Sequence, residues 1–186
     1  MVSKKIKVAI FASGKGTNAQ KIIDYFRINP DISISLIVCN KSNAGVLSIA
    51  SKENIPSLII GKDFSEFNVG YVDFIVLAGF LWKIPNNIIK YFPNKIINIH
   101  PSLLPKYGGI GMYGNFVHKA VIDNNEIESG ITIHYVNNEY DKGDIIYQKR
   151  CLIDKNDTIK SLSTKIQNLE HIYYPIIIEK IINLSR

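Results

Sequence analysis

The segment IKVAIFASGKGTNAQKIIDYF, residues 6–26, joins an apolar strand to an amphipathic helix through a glycine-rich turn. Ile6 to Ala12 is short and almost wholly apolar, which is typical of a buried strand. From Asn18 onward the pattern is helical, with Ile22, Ile23 and Phe26 on one side. This strand–turn–helix unit is the first of several along the chain.

The same alternation of strands and helices continues towards the C-terminus. Strands are predicted over residues 32–39, 57–60, 73–78, 95–99, 129–136 and 144–153, and helices over 45–53, 84–91, 113–124 and 158–184. Apolar strands that alternate with helices favour a parallel sheet covered on both faces. We therefore predict a single Rossmann-like α/β domain over residues 1–186, with a mostly parallel sheet, helices on both faces and a long C-terminal helix.

Composition narrows the possible partners. The chain has 186 residues and a formal net charge of +6, and its basic residues are dispersed. A dispersed positive field suits a small anionic substrate better than a nucleic acid. Cys39 and Cys151 lack neighbouring ligands at metal-binding spacing. The apolar run near the N-terminus is too short for a membrane span. We expect a cytoplasmic protein with no metal, no nucleic-acid partner and no membrane contact.

Two loops follow predicted strands at their carboxyl ends, where sheets of this class bind ligands. The first reads SGKGTN, residues 13–18. Gly14 and Gly16 allow a tight turn, and the free N–H groups of a helix start attract anions. Because the loop matches neither dinucleotide nor nucleoside-triphosphate motifs, it indicates a phosphate monoester. Capping of the helix by Thr17 or Asn18 is the structural alternative.

The second loop reads NIHPSLLP, residues 98–105. Asn98 and His100 lie two positions apart on a predicted strand, so both face one side. Pro101 and Pro105 fix the path of the chain as it leaves the strand. A lone histidine on an apolar face is usually a core residue, but this setting favours a hydrogen-bond donor and a titratable base beside one reacting atom.

Three acidic residues could partner His100: Glu139, Asp141 and Asp144 all lie in the polar loop over residues 137–144. Spacing alone does not choose among them, and Asp141, beside Lys142 and Gly143, could simply be a turn residue. His118 and His134 fall in a predicted helix and a predicted strand, where core or surface roles are expected.

Several motifs together resemble the folate-dependent formyltransferases. They are NIHPSLLPKY at 98–107, SGKGTN at 13–18, LAGF at 77–80, GITIHYV at 130–136, YDKGDIIYQ at 140–148 and EHIYYP at 170–175. The resemblance covers essentially the whole chain. The glycine loop and the lack of an extra domain favour the branch that acts on glycinamide ribonucleotide.

The resemblance implies a reaction and a set of site residues. A formyl group passes from the cosubstrate 10-formyltetrahydrofolate to the primary amine of glycinamide ribonucleotide, without a metal, in a monomer or homodimer. The catalytic residues are Asn98, His100 and Asp141. The acceptor is bound by Gly14, Lys15, Gly16, Thr17, Asn18, Pro101 and Glu170. The folate is bound by Leu81, Trp82, Lys83, Ile84, Asn98, Asn138, Glu139, Tyr140 and Asp141.

Other functions stay open beside this reaction. The acceptor is alternatively methionyl-tRNA or an amino-sugar nucleotide, and a noncatalytic folate- or nucleotide-binding module is the alternative outside enzymes.

Many relatives have Phe-Met-Arg where this chain has Phe80-Leu81-Trp82, so Lys83 is a candidate replacement for that arginine. The segment Gly61 to Tyr71 is short, and Lys62 and Lys15 are candidates for its usual basic residue. The glycine-rich loop over residues 108–114 is either a lid or an ordinary surface loop.

Overall fold

The computed structural model describes residues 5–62, 64 and 72–185. Most of the short segment noted between Gly61 and Tyr71 therefore lies outside the described residues. In chain order the described elements are β1 (Ile6–Ala12), α1 (Thr17–Phe26), β2 (Ile32–Cys39), α2 (Gly45–Lys52), β3 (Ser57–Ile59), β4 (Phe74–Leu77), α3 (Asn86–Tyr91), β5 (Ile96–His100), α4 (Asn115–Asp123), β6 (Glu128–Tyr135), β7 (Ile145–Leu152) and α5 (Ile159–Leu184).

The described strands form one sheet in the order β3-β2-β1-β4-β5-β6-β7. Neighbouring strands from β3 to β5 pair in parallel, whereas β6 and β7 join the sheet antiparallel. This arrangement confirms the predicted mostly parallel α/β fold. The antiparallel hairpin of β6 and β7 extends the sheet beyond β5.

Helices cover both faces because successive strand residues point in opposite directions. On β1, Val8 and Ile10 join the hydrophobic cluster that α1, α2, α4 and α5 cover, and this side is called here the α5 face. Ala9 and Phe11 join the cluster that includes Ile88 of α3, and this side is called the α3 face. No described helix is both apolar enough and long enough to cross a lipid bilayer.

Local sequence explains where two helices begin later than predicted. Pro85 immediately precedes α3, and its extended conformation (ψ 144°) keeps it outside the helix that begins at Asn86. Gly114 precedes α4 with a φ of 52°, so the helix begins at Asn115 rather than at Tyr113. Strand β5 extends one residue further than predicted and ends at His100.

Helix α5 is anchored beside the ends of two central strands. Tyr174 is fully buried, and its hydroxyl lies 2.9 Å from the carbonyl oxygen of Leu77 and 3.3 Å from that of Ile97. These contacts join α5 to β4 and β5. They bring the N-terminal half of α5 to the edge of the sheet where the site lies.

Candidate active site

A cleft of about 560 Å³ opens at the carboxyl edge of the sheet. It brings together most of the residues predicted from the sequence, namely Asn18, Leu81, Trp82, Lys83, Ile84, Asn98, His100, Pro101, Glu139, Tyr140, Asp141 and Glu170. Five predicted residues do not line it: Gly14, Lys15, Gly16, Thr17 and Asn138. The first four of these directly precede Asn18 in the chain.

Asp141 contacts the two side chains predicted on β5. Its Oδ2 lies 3.4 Å from Nδ1 of His100, and its Oδ1 lies 3.4 Å from Nδ2 of Asn98. The backbone N–H of Gly109 donates to Oδ2 at 2.9 Å. Of the three acidic residues in the hairpin loop, Asp141 is the one that contacts His100, whereas Glu139 is exposed and pairs with Lys142.

His100 is buried, and both of its ring nitrogens face hydrogen-bond acceptors. Nδ1 faces Asp141, and Nε2 lies 2.7 Å from the carbonyl oxygen of Tyr107. A carbonyl oxygen only accepts, so Nε2 donates this bond. Nδ1 can donate to Asp141 as well only when the ring carries two protons.

Asp141 is held as a carboxylate. Burial on its own would raise its pKa, but hydrogen bonds from His100 and His134 outweigh burial and hold the pKa of Asp141 well below its usual range. The charge of His100 and the Gly109 N–H act in the same direction. At neutral pH the site therefore contains a buried negative charge surrounded by donors.

His134 belongs to this cluster, although the sequence indicated only a core or surface role. It is buried on β6, directly opposite Asn98 in the strand register. Its Nδ1 donates to the carbonyl of Tyr135 at 2.8 Å, which leaves Nε2 to accept from Nδ2 of Asn98 at 3.1 Å when the ring is neutral. In a charged ring Nε2 faces Oδ1 of Asp141 at 3.6 Å. The register of β5 and β6 is the signal that would have revealed it.

The loop before α1 provides a helix start without a side-chain cap. Gly16 is the N-cap residue, with a φ of 81° and no side-chain cap hydrogen bond, so the alternative in which Thr17 or Asn18 caps the helix is wrong. A Cβ at Gly16 would lie 2.9 Å from the backbone of Val46, which explains why glycine is needed. The first backbone N–H groups of α1 are therefore not satisfied by a cap and suit an anion.

Helix α5 holds this loop from the other side. The side chain of Asn18 donates to Oε2 of Glu170 at 2.9 Å, and the side chain of Gln167 donates to Oγ1 of Thr17 at 3.1 Å. Burial raises the pKa of Glu170, although the bond from Asn18 and the charge of His100 oppose that shift. Glu170 thus contacts the start of α1 and lines the same cleft as His100.

Aromatic side chains form the opposite end of the cleft, after β4. The ring of Trp82 stacks on Phe64 with centroids 6.2 Å apart and meets Phe80 edge-on at 6.4 Å. The backbone N–H of Leu81 donates to Oγ of Ser13 at 2.9 Å, which fixes this loop against the end of β1. A flat, apolar surface therefore stands where the resemblance predicts folate.

The described residues contain no group of three or more His, Cys, Asp or Glu side chains arranged to hold a metal ion. The glycine-rich loop over residues 108–114 contacts the site through the Gly109 N–H, and Ile110 on the same loop is largely exposed.

The fold and the site together define a class of protein. It is a Rossmann-like α/β protein with an amide–imidazole–carboxylate cluster at the carboxyl edge of its sheet. The chain belongs to the formyl transferase family, since the family model described as "Formyl transferase" matches residues 6–178.

Relatives and solved structures agree with this membership. The chain is 38% identical over 187 residues to a chloroplastic phosphoribosylglycinamide formyltransferase of Arabidopsis thaliana, covering 92% of this chain and 63% of that protein. It is 35% identical over 192 residues to the phosphoribosylglycinamide formyltransferase of Bacillus subtilis, covering 96% of each. The crystal structure of the enzyme of that name from Bacillus halodurans has a TM-score of 0.84 at 32% identity and covers 97% of each chain. The chain thus spans somewhat under two thirds of the plant relative's length.

Proposed function

We propose that the chain transfers the formyl group of 10-formyltetrahydrofolate to the primary amine of glycinamide ribonucleotide, in purine biosynthesis. The observation that carries the proposal is the contact of Asp141 with both His100 and Asn98, between an uncapped helix start and an aromatic loop. The names of the relatives support this acceptor over methionyl-tRNA or an amino-sugar nucleotide.

The acceptor fits the end of the cleft formed by α1 and α5. Its phosphate accepts from the free N–H groups of Gly14 to Asn18, with the exposed Lys15 as counter-charge. Its glycinamide end extends past Glu170 and Pro101 towards His100. Glu170 is already fixed by Asn18, so it needs little reordering when the substrate binds.

The donor fits the other end. Its pterin lies among the backbones of Leu81 to Ile84 and of Asn138 to Asp141, against the Trp82 ring. Stacking of a flat heterocycle on an indole compensates for the arginine that many relatives carry near this position.

The chemistry follows from the positions of the donors. The lone pair of the amine attacks the formyl carbon, and the carbonyl oxygen becomes a tetrahedral oxyanion. Asn98 donates to it, and so does doubly protonated His100 once one of its two N–H groups leaves its present acceptor, the Tyr107 carbonyl or Asp141. Loss of one such donor typically costs about 10²–10³ in rate. Asn98 gives up its longer contact, the one to Asp141 at 3.4 Å, when it does so.

Collapse of the intermediate completes the transfer. The bond from carbon to the folate nitrogen breaks, the attacking nitrogen loses a proton, and the folate nitrogen gains one. Doubly protonated His100 gives a proton to the folate nitrogen and then takes one back from the attacking nitrogen, and the Asp141 carboxylate stabilises the charged ring before and after this exchange. The cytoplasmic location, the monomeric or homodimeric state and the single domain over residues 1–186 stay predictions.

The test offers 10-formyltetrahydrofolate with three acceptors: glycinamide ribonucleotide, methionyl-tRNA and an amino-sugar nucleotide. We expect deformylation of the folate with glycinamide ribonucleotide alone. His100→Ala and Asp141→Asn should each lower kcat by about 10²-fold or more. Asp144→Asn makes the same chemical change at an exposed site in the same loop and should leave kcat unchanged. Transfer to another acceptor, or near-normal kcat in His100→Ala, would contradict the proposal.

A further inference from the structure

His118 is a buried histidine that the mechanism above does not use. It lies on α4, its side chain lines the cleft, and the residue is 4% exposed. Its neighbours in sequence, Val117 and Val121, pack in the hydrophobic cluster of the α5 face. His118 therefore lies in the same half of the cleft as Ile166, Gln167 and Glu170 of α5.

The ring of His118 has an unsatisfied nitrogen. Nδ1 is fully buried and has no hydrogen-bond partner within the structure. A buried polar atom left without a partner destabilises a folded protein by about 1–3 kcal/mol. A phenylalanine or leucine would fill this space without that cost, so packing alone does not explain a histidine here.

Its protonation state suits a hydrogen-bond acceptor. Burial, and in addition the nearby charge of His100, lower the pKa of His118. The ring is therefore neutral at neutral pH and keeps a lone pair. His118 and His100 line the same cleft.

Most other acceptors in this half of the cleft are already engaged, and the exception, Oδ1 of Asn18, lies at the start of α1, where the phosphate is proposed to bind. Asp141 accepts from Gly109 and faces His100, and Glu170 accepts from Asn18. An amine or ammonium group brings donors that need acceptors. The neutral His118 ring lines the same cleft as His100 and has an unused nitrogen.

We propose that His118 binds the amine of the acceptor substrate, which donates a hydrogen bond to the unpartnered ring nitrogen and is held facing His100. This inference rests on the proposed function, because it takes glycinamide ribonucleotide as the acceptor. The amine is then fixed between a neutral imidazole on one side and the charged His100 centre on the other.

The test compares two ligands by calorimetry without folate: glycinamide ribonucleotide and its analogue in which hydrogen replaces the amine. The wild-type protein should bind the amine-bearing ligand about tenfold more tightly. In His118→Phe this ratio should fall to about one, since no nitrogen is left to accept. In His118→Asn, which keeps an acceptor oxygen near the position of Nδ1, part of the ratio should return.

Two controls separate this role from a structural one. Lys119→Ala changes an exposed residue of the same helix and should leave the ratio unchanged. His118→Phe removes an unsatisfied nitrogen, so its Tm should equal or exceed the wild-type Tm. Should the phenylalanine variant not fold, His118→Leu makes the same comparison.

A full wild-type ratio in His118→Phe or His118→Leu overturns the inference. The proposed function is tested separately by turnover. A chain that shows the amine-dependent ratio but transfers no formyl group contradicts the proposed function and leaves the role of His118 supported.

Discussion

The carboxylate of Asp141 is contacted from two parts of the chain, strand β5 and the glycine-rich loop over residues 108–114. Asp141 lies in the left-handed region, with a φ of 56°, and so turns its carboxylate back towards β5. Gly109, His100 and Asn98 all contact its two oxygens. The left-handed backbone is uncommon for a residue with a side chain, and its position at this contact is consistent with a functional demand.

The low pKa of Asp141 predicts a pH-dependent contribution to stability. A carboxyl whose folded-state pKa is depressed stabilises the protein above its unfolded pKa, and that contribution is lost as the pH falls through the folded value. Asp141→Asn should lower the free energy of unfolding at pH 7 by about 1–3 kcal/mol. Urea denaturation should show this gap shrinking below about pH 4, near the usual pKa of an aspartate.

A matched variant serves as the control for this comparison. Asp123→Asn removes an exposed carboxylate that pairs with Lys119, and it should change the free energy of unfolding by no more than about 0.5 kcal/mol. A gap for Asp141→Asn that is equal at pH 7 and pH 3 would refute the linkage.

Individual site residues differ in how far the sequence could predict them. Asn98 and His100 could be found because both lie in one short, apolar, proline-bounded run. Asp141 could not be chosen over its acidic neighbours from spacing, since the choice depends on how the hairpin loop folds back over β5. His134 and the Tyr107 carbonyl were missed because their roles arise from strand register and loop path, which local patterns do not encode.

The hairpin of β6 and β7 is the element that delivers Asp141. Its turn is closely packed: a Cβ added to Gly143 would lie 1.8 Å from the carbonyl oxygen of Tyr135. The carbonyl oxygen belongs to the backbone of the hairpin, so no flexible side chain can move aside. The turn that carries Asp141 thus depends on a glycine two positions later.

Gly143→Ala should therefore destabilise the protein and disturb the site. We expect a loss of about 2 kcal/mol or more in the free energy of unfolding, from the forced shift of the hairpin backbone. Folded enzyme should also lose formyl transfer, because Asp141 moves with the turn. Gly61→Ala is the control, since no atom of the described residues lies within 4 Å of its added Cβ. Equal denaturation midpoints for the two variants would show that the close packing at Gly143 does not stabilise the hairpin.

Secondary structure was largely predictable from periodicity. Strands β1 and β2 have the predicted bounds, since each is an apolar run that ends in polar or glycine-rich residues. Helices α3 and α4 begin later than predicted, at the points where Pro85 and Gly114 set the backbone. The spacing of apolar residues that is typical of a helix continues through such residues, so the pattern alone predicts a helix that begins too early.

The net charge of +6 affects the whole molecule rather than one contact. Both proposed substrates are anions, so the field should raise their local concentration. Raising salt from about 0.01 M to about 1 M shortens the Debye length from about 30 Å to about 3 Å. We expect KM for glycinamide ribonucleotide to rise severalfold over this range while kcat stays nearly constant. A KM that does not change with salt would show that the field contributes nothing.

The hairpin has a final consequence for how the protein matures. Asn98 and Asp141 lie 43 positions apart and meet only when β6 has paired with β5. A folding chain with its parallel strands assembled already has the anion-binding start of α1 and the imidazole of His100. It has no carboxylate beside that imidazole until the hairpin docks. On the proposed mechanism, a chain whose hairpin has not docked can hold an anion at the start of α1 but lacks the carboxylate that formyl transfer needs.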